Sequence, residues 1–200
     1  MVRRKRNWHP KGYYHIIMRG NNRQNIFNGE QDVKEYYRIL NFVFDKYPFR
    51  LFAYCIMSNH IHLLIQSPVV PLHKIMTPLN RRYSDYYRKL HNYTGQIYEN
   101  RYFSKEILDP IGLLHVSRYI HRNPIETKNP MVQSLDHYPF SSFPSYFHNS
   151  RSSHPFLNLQ LLPSLMPPGH EKTAQAYAKY CIEQNKEKEV TPTSLNLFKD

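Results

Sequence analysis

Two histidines separated by one residue, His60 and His62, carry the clearest chemical signal in this sequence. On a β-strand, residues i and i+2 point to the same face, so both imidazoles project together while Ile61 points the other way, into a core. Paired imidazoles can bind a divalent metal ion. The pair alone also fits two solvated histidines on a polar sheet face, and a metal site would need a third ligand from elsewhere in the chain.

A predicted third helix offers such a ligand. Along it, His115, Tyr119 and Asn123 recur at every fourth position and therefore share one face. Asn123 carries an amide oxygen suitable for a hard cation, and Tyr119 lies one turn away, within reach of the same site. The same spacing also fits an ordinary helix end that combines a half-buried tyrosine with an asparagine before a proline.

The elements that position these residues follow from hydrophobic periodicity. Strands are predicted over 12–20, 49–57, 60–66 and 99–108, and helices over 29–47, 71–92 and 110–122. Asn28 and Asp109 are the predicted N-terminal caps, and Pro78 predicts either a kink or a helix start at Thr77. The order β-α-β-β-α-β-α predicts an α+β fold, a ferredoxin-like four-stranded antiparallel sheet with helices packed on it.

Both ends of the chain differ in composition from this central part. Residues 1–11 are basic without an acid and are interpreted as an arm that contacts phosphates. Residues 125–170 are rich in Pro, Ser and His and are expected to wrap the surface, and 171–189 read as a helix of mixed charge. We therefore predict one domain over 1–150, with its basic N-terminal arm, and a C-terminal extension of unknown role over 151–200.

Charge and aromatic content indicate a polyanion as the partner. Lys and Arg number 27 against 15 acidic residues, a net charge of +12, and 17 Tyr and 11 Phe accompany them. Cations track phosphates while aromatic faces stack on unpaired bases, so the composition is typical of a protein that binds a polyanion with unpaired bases. A merely basic soluble protein is the alternative, and helical spacing favours a core position for Tyr83 and Tyr87. The predicted DNA contacts are Arg3, Arg4, Lys5, Arg6, Arg81, Arg82, Tyr86, Arg88, Lys89, Arg101 and Lys105.

The remaining composition excludes several classes of protein. Two cysteines, Cys55 and Cys181, are too few for a disulfide framework or a thiolate zinc site. The basic N-terminus lacks the apolar stretch of a signal peptide, and no window is apolar enough to span a membrane. We therefore expect a cytoplasmic protein without a membrane partner.

Five stretches in a fixed order carry a resemblance to a known family. They are Cys55–Ile65, Tyr83, Gly95, the pair Arg101 and Tyr102, and Arg118–Pro124. Together they resemble the REP-associated tyrosine transposases, single-tyrosine enzymes of the HUH superfamily, in which two histidines flank a hydrophobic residue. The resemblance covers roughly residues 10–146 and leaves the C-terminal extension unassigned.

The resemblance implies a function for each candidate residue. His60 and His62 would bind the catalytic Mg²⁺ or Mn²⁺, and Asn123 would complete the metal site where related insertion-sequence transposases carry glutamine. Tyr119 would be the nucleophile that forms a 5′-phosphotyrosine on single-stranded or hairpin-forming repeat DNA. The predicted HUH domain is 1–150, and the protein would act as a monomer or a homodimer.

Two rival functions remain open at this point. A non-catalytic nucleic-acid-binding regulator would keep the fold and the charge without the chemistry. A metal-dependent hydrolase would use water as its nucleophile and form no covalent intermediate. The tyrosines of the second helix are also rivals of Tyr119, because spacing alone does not exclude them.

Overall fold

A four-stranded antiparallel sheet forms the centre of the protein in the computed structural model, which describes residues 8–152 and 154–183. The strands are β1 (Tyr13–Arg19), β2 (Arg50–Ile56), β3 (His60–Gln66) and β4 (Phe103–Ile107), in the spatial order β2-β3-β1-β4. The longer helices are α1 (Glu30–Lys46), α2 (Leu72–Leu90) and α3 (Pro110–Arg122), and the shorter ones are α4 (Phe143–Phe147), α5 (Leu161–Ser164) and α6 (Ala174–Ile182). The predicted α+β class and the ferredoxin-like sheet are confirmed.

The two faces of the sheet support two separate cores. In β3, Ile61, Leu63 and Ile65 point into a core shared with α1 and α2. Leu64 points the other way, into a second core shared with α3 to α6. Because side chains alternate along a strand, His60 and His62 belong to the α3 side of the sheet.

The helix α1 begins differently from the sequence prediction, and one of the two alternatives predicted for Pro78 in α2 does not occur. Gly29 is the N-cap of α1, and the Asp32 carboxylate reaches back to accept a hydrogen bond from the backbone amide of Asn28 at 2.7 Å. The predicted side-chain cap by Asn28 is therefore wrong. The helix α2 runs from Leu72 through Pro78 without a second start, so the predicted start at Thr77 is wrong as well.

The start of α3 follows the prediction. A carboxylate oxygen of Asp109 accepts a hydrogen bond from the Gly112 amide at 2.8 Å, and Pro110 occupies the first turn, where no amide hydrogen is needed. The helix ends at Arg122, which leaves Asn123 as its C-cap. The two ends of α3 are therefore fixed, and with them the side of the helix that faces the sheet.

The segment after α3 does not wrap the surface as predicted. Phe143, Tyr146 and Leu162 are fully buried in the second core. The chain also covers the open edge of β2, where the Ser142 amide donates to the Tyr54 carbonyl at 3.1 Å. An unpaired sheet edge is a template for aggregation, and this segment removes it.

Side chains on both sides of the predicted boundary at residue 150 share the two cores. Phe156 and Leu157 lie in the first core, and Tyr177 of α6 lies in the second. The predicted helix over 171–189 corresponds to α6. The part of that prediction over 184–189 lies outside the described residues. Within the described ranges, no helix combines the length and the apolar character needed to cross a bilayer.

Candidate active site

The histidine pair of β3 lies buried beneath α3. His60 is 5% exposed and His62 is fully buried, with ring centroids 4.9 Å apart. The alternative of two solvated histidines on a polar face is therefore wrong. Burying two imidazoles is costly unless their nitrogens have partners, so their surroundings determine what the pair can do.

The helix α3 places the two other predicted site residues against this pair. The Asn123 Oδ1 atom lies 3.2 Å from His60 Nε2, and the ring of Tyr119 lies 5.4 Å from that of His62, centroid to centroid. The Asn123 amide nitrogen donates to the Tyr119 carbonyl at 2.9 Å, which fixes the direction of the amide oxygen. The structure thus brings His60, His62, Tyr119 and Asn123 together.

The rival tyrosines of α2 lie on the other side of the sheet. Tyr83 and Tyr87 are buried in the first core, as their spacing predicted, and the Tyr83 hydroxyl donates to the Ile26 carbonyl. Tyr86 donates its hydroxyl to the buried carboxylate of Asp32 at 2.9 Å. Their hydroxyl groups are therefore engaged in structural contacts away from the histidine pair.

Both ring nitrogens of His60 face amide oxygens. Nδ1 lies 2.6 Å from Asn59 Oδ1, and Nε2 lies 3.2 Å from Asn123 Oδ1. A neutral imidazole has one N–H, so one of these contacts brings two electron-pair donors together. A cation shared by His60 Nε2 and Asn123 Oδ1, or a second proton on the ring, relieves that conflict.

His62 presents a nitrogen that lacks a protein partner. Within the described part of the chain, its buried Nε2 atom makes no hydrogen bond, whereas its Nδ1 lies 2.9 Å from Nε2 of His15 in β1. Burial lowers the pKa of His62 well below its usual value, and the proximity of His60, His15 and Arg19 disfavours a second proton further, whereas a contact with Asn123 acts in the opposite direction. His62 is therefore neutral, which is the form that coordinates a metal ion.

His15 is also buried and neutral. Burial, followed by the charge of Lys105, lowers its pKa to about 3. Lys105 is its cross-strand partner in β4. The structure therefore holds two neutral imidazoles in contact under the Tyr119 ring, whose centroid lies 6.2 Å from that of His15.

The donor set fits a divalent cation. Across the described residues, no group of three or more His, Cys, Asp or Glu side chains is arranged to hold an ion, so a third protein ligand has to be of another type. The Asn123 amide oxygen is in place for that function, and His62 Nε2 offers an unused electron pair. Two imidazoles and one amide oxygen suit Mn²⁺ better than Mg²⁺, which prefers oxygen ligands.

Positive charge surrounds the site from β1 and β4. Arg19 is the cross-strand partner of His60, and Lys105 is that of His15. A groove of about 340 Å³ opens beside them, lined by Ile17, Arg19, Arg101 and Phe103 among others. Of the predicted DNA contacts, the structure brings Arg101 and Lys105 to the site.

The predicted DNA contacts of α2 lie away from the site. Arg81 is within 4.0 Å of Asp85, and the Arg82 guanidinium lies 3.8 Å over the ring of Phe42. Lys89 is exposed on the same helix. The predicted contacts Arg3, Arg4, Lys5 and Arg6 of the N-terminal arm lie outside the described residues.

A second groove, of about 760 Å³, connects α2 with the loop before β4. Arg88 lines it on the helix, and residues 96–102 line it on the loop. Glu99, Asn100, Arg101 and Tyr102 border both grooves. The surface therefore continues from α2 to Ile17 and Arg19 of β1, which lie opposite His62 and His60 in the sheet.

His15 and Arg19 are site residues that the sequence analysis missed. Alternation along the predicted strand 12–20 puts His15, Ile17 and Arg19 on one face, so the sequence does predict that these three side chains lie together. Which face they share with His60 and His62 depends on the antiparallel pairing of β1 with β3, in which Ile17 lies opposite His62. Hydrophobic alternation does not supply that register.

Three comparisons relate the chain to known proteins. The model of a family described as IS200-like transposases matches residues 9–123. A Haemophilus influenzae protein named as a REP-associated tyrosine transposase is 30% identical over 111 residues, 50% of this chain and 61% of that relative. The chain thus spans less than two thirds of the curated relative.

The third comparison concerns the fold. A solved structure of a REP-associated tyrosine transposase bound to a REP hairpin superposes with a TM-score of 0.58 at 19% identity, covering 74% of this chain and 86% of that chain. At that identity the likeness shows the α+β fold alone. It agrees with the four-stranded antiparallel sheet and the packed helices described above.

Proposed function

Since the chain belongs to the IS200-like transposase family, whose model matches residues 9–123, we propose that it is a metal-dependent single-strand DNA endonuclease and strand transferase. Tyr119 is its nucleophile, and hairpin-forming repeat DNA is its substrate. The observation that carries the proposal is the packing of the Tyr119 ring, 5.4 Å from His62, beside the donor set of His60, His62 and Asn123.

The chemistry of a tyrosine nucleophile explains why a metal ion belongs in this site. The pKa of a free tyrosine is about 10, and a phosphodiester repels incoming negative charge. A divalent ion held by His60, His62 and Asn123 would supply a positive charge that polarises a phosphoryl oxygen and offsets the developing charge. His60 Nδ1 faces the accepting side-chain oxygen of Asn59, and the Asn123 amide nitrogen donates to the Tyr119 carbonyl; these contacts keep the ligands His60 and Asn123 oriented.

In the proposed reaction, the Tyr119 oxygen attacks the scissile phosphorus. The bond from phosphorus to the 3′ oxygen breaks, leaving a 5′-phosphotyrosine on the protein and a free 3′-OH on the other fragment. The phenolic proton leaves as the new bond forms, and the departing 3′ oxygen gains a proton. Because the phosphodiester energy is retained in the covalent link, a second 3′-OH can rejoin strands without ATP.

The basic grooves are the proposed path of the single strand. Arg88 and Arg101 line the groove on the α2 side, and Arg19 and Arg101 line the groove that opens at the site. Cations in these positions neutralise successive phosphates, and Lys105 places a further charge next to His15. This path leads the scissile phosphate towards the face of α3 that carries Tyr119.

A labelling experiment tests the proposal. Hairpin DNA with a single-stranded flank, labelled on its 3′ side, is incubated with the protein and Mn²⁺ and separated on a denaturing gel. We expect label on the protein, loss of that label in Tyr119→Phe, and its retention in Tyr47→Phe, a matched change after α1 on the other side of the sheet. Cleavage without labelled protein favours the water-using hydrolase, and no cleavage favours the non-catalytic DNA-binding regulator.

Several finer statements remain predictions beside this proposal. They are the cytoplasmic location, the choice between Mg²⁺ and Mn²⁺, and action as a monomer or a homodimer. The division into a domain over 1–150 and an extension over 151–200 is a prediction of the same kind.

A further inference from the structure

His15 is a buried residue of β1 that the proposed chemistry does not yet use. Its Nε2 atom lies 2.9 Å from Nδ1 of His62, the two rings are stacked with centroids 5.2 Å apart, and His15 is 1% exposed. On the opposite edge of the His62 ring, Nε2 lies without a protein partner in the described part of the chain. The two nitrogens of His62 thus have sharply different environments.

We propose that His15 is a positioning residue that accepts a hydrogen bond from His62 Nδ1–H and so aims the His62 Nε2 electron pair at the metal ion. This inference rests on the proposed metal-dependent function. The hydrogen bond itself is a property of the metal-free protein and is testable there.

The direction of this hydrogen bond follows from the cost of the alternative. If His15 Nε2–H donated instead, the proton of His62 would have to sit on its Nε2 atom. That buried N–H would have only the Asn123 amide oxygen, which His60 Nε2 also faces, as an acceptor, and it could not bind a metal ion. With His62 donating, no N–H is left unpaired between the two rings, and the electron pair of His62 Nε2 points into the site.

The second histidine of the pair is held in a comparable way. His60 Nδ1 lies 2.6 Å from Asn59 Oδ1, and the Asn59 side-chain nitrogen donates to the Arg23 carbonyl at 3.3 Å, which orients the amide. Each imidazole of the pair therefore has an acceptor at Nδ1 and turns Nε2 towards Asn123 or the open site. Outer partners of this type fix the tautomer and the orientation of metal-binding histidines.

The partner of His62 is an uncharged imidazole where many metal sites use a carboxylate. A carboxylate would raise the basicity of His62 and add a negative charge below the ion. A neutral acceptor fixes the ring without that charge. The positive charges of Arg19 and Lys105 beside the site are therefore not offset by the partner of His62, which favours the approach of a phosphate.

Histidine tautomers in the metal-free protein give the first test. In protein labelled with ¹⁵N-histidine, long-range ¹H–¹⁵N NMR spectra at neutral pH should show His62 as the Nδ1–H tautomer. In His15→Phe, which fills the space without an acceptor, His62 should lose that tautomer preference. In His15→Gln, whose side-chain oxygen can replace the imidazole Nε2, the preference should be kept. A wild-type His62 protonated on Nε2 overturns the proposal.

Mn²⁺ affinity, measured by titration of the electron paramagnetic resonance signal of free Mn²⁺, gives the second test. We expect His15→Phe to weaken binding about 10- to 100-fold, whereas His15→Gln stays close to the wild type. Thermal unfolding of all three proteins shows that the variants are folded. Equal weakening by both variants, or by neither, overturns the inference and leaves His15 as a packing residue.

The two tests separate failure of this inference from failure of the proposed function. If the wild type binds no Mn²⁺, the proposed function fails, and the tautomer of His62 still decides whether His15 fixes the ring. If Mn²⁺ binds and the protein is labelled by DNA but His15→Phe behaves as the wild type, the function stands and the inference fails.

Discussion

At the scale of single residues, the proposed function predicts that DNA cleavage requires His62 and that DNA binding does not. His62→Ala should lower the yield of labelled protein at least about 100-fold, because loss of one ligand removes several kcal/mol of charge stabilisation. Binding of the same hairpin DNA without metal ion should change little, since His62 is buried and neutral. Gel cleavage assays and fluorescence anisotropy measure the two quantities separately.

The matched control for His62 is His170→Ala, which changes an exposed histidine. It should leave cleavage and binding unaltered. Equal loss of both activities in His62→Ala would instead assign the histidine pair to folding or to recognition.

The burial of His121 makes the free energy of unfolding depend on pH. Burial lowers its pKa to about 3, and its Nε2 accepts or donates a hydrogen bond with Ser142 Oγ at 2.8 Å. Because the folded pKa lies below the ordinary value of about 6.5, protonation favours the unfolded chain. The stability that neutral His121 contributes is complete above about pH 6.5 and falls progressively between there and about pH 3.

The magnitude follows from the linkage of protons to unfolding. Between pH 7 and pH 5, one such histidine should cost about 2 kcal/mol of unfolding free energy, and His15 and His62 shift in the same direction. Urea titrations at both pH values measure the loss. His121→Gln should reduce it by about the contribution of one histidine, whereas the exposed control His170→Gln should not; an unchanged loss in His121→Gln would contradict the assignment.

From the sequence, the candidate site residues could be singled out only through the combination of several motifs in a fixed order. Tyr119 is one of 17 tyrosines, and helical spacing alone could not separate it from Tyr83 or Tyr86. The separation is made by the sheet, because α2 and α3 pack on opposite faces. His15 was missed for a related reason, since its contact with His62 depends on strand register.

At the scale of elements, α3 lies between the sheet and the C-terminal helix α6. One side of α3 presents Tyr119 to the histidines, and the other presents two arginines to the end of α6. Arg122 Nη1 donates to the Cys181 and Ile182 carbonyls, both at 3.0 Å, and Arg118 donates to the Glu183 carbonyl. These carbonyls are the ones that a helix end leaves without partners, so α6 is capped by the helix that carries Tyr119.

Arg122→Met tests this coupling of α6 to α3. The change keeps the aliphatic stem but leaves the carbonyls without their charged donor, which should cost about 1.5–3 kcal/mol. Hydrogen exchange should accelerate first in α6, and the yield of DNA-labelled protein should fall because α3 loses its outer support. Lys179→Met, an exposed change on α6, is the control for both measurements. Unaltered exchange in Arg122→Met would show that apolar packing alone holds α6.

Elements with strong periodicity were predictable, and the short ones were not. The strands and the helices α1 to α3 follow alternation or helical spacing over seven or more residues in most cases, and the Asp109 cap was readable from the sequence. The helices α4 and α5 have 5 and 4 residues, too few for a periodic signal. Their burial depends on packing against α3, so composition alone mistook them for surface.

At the scale of the whole molecule, the net charge of +12 is informative only once its distribution is known. Arg19, Arg101 and Lys105 lie on or beside the site, whereas Arg81 and Arg82 lie across the sheet on α2. From the sequence alone, the cations between residues 81 and 105 were predicted to form one DNA-binding segment. The fold divides them between two faces, which the grooves that share residues 99–102 connect.

The salt dependence of DNA binding distinguishes these two groups of cations. For single strands, the slope of log affinity against log salt is about −0.7 for each neutralised phosphate. Changing both Arg101 and Lys105 to Ala should therefore make the slope shallower by about 1.4, whereas changing both Arg81 and Arg82 to Ala should alter it less. The measurement uses fluorescence anisotropy of hairpin DNA over a series of salt concentrations, with Tyr119→Phe in every protein so that no covalent link forms. If the α2 pair produced the larger change, the strand would bind across α2 before it enters the site, and the grooves would not be its main path.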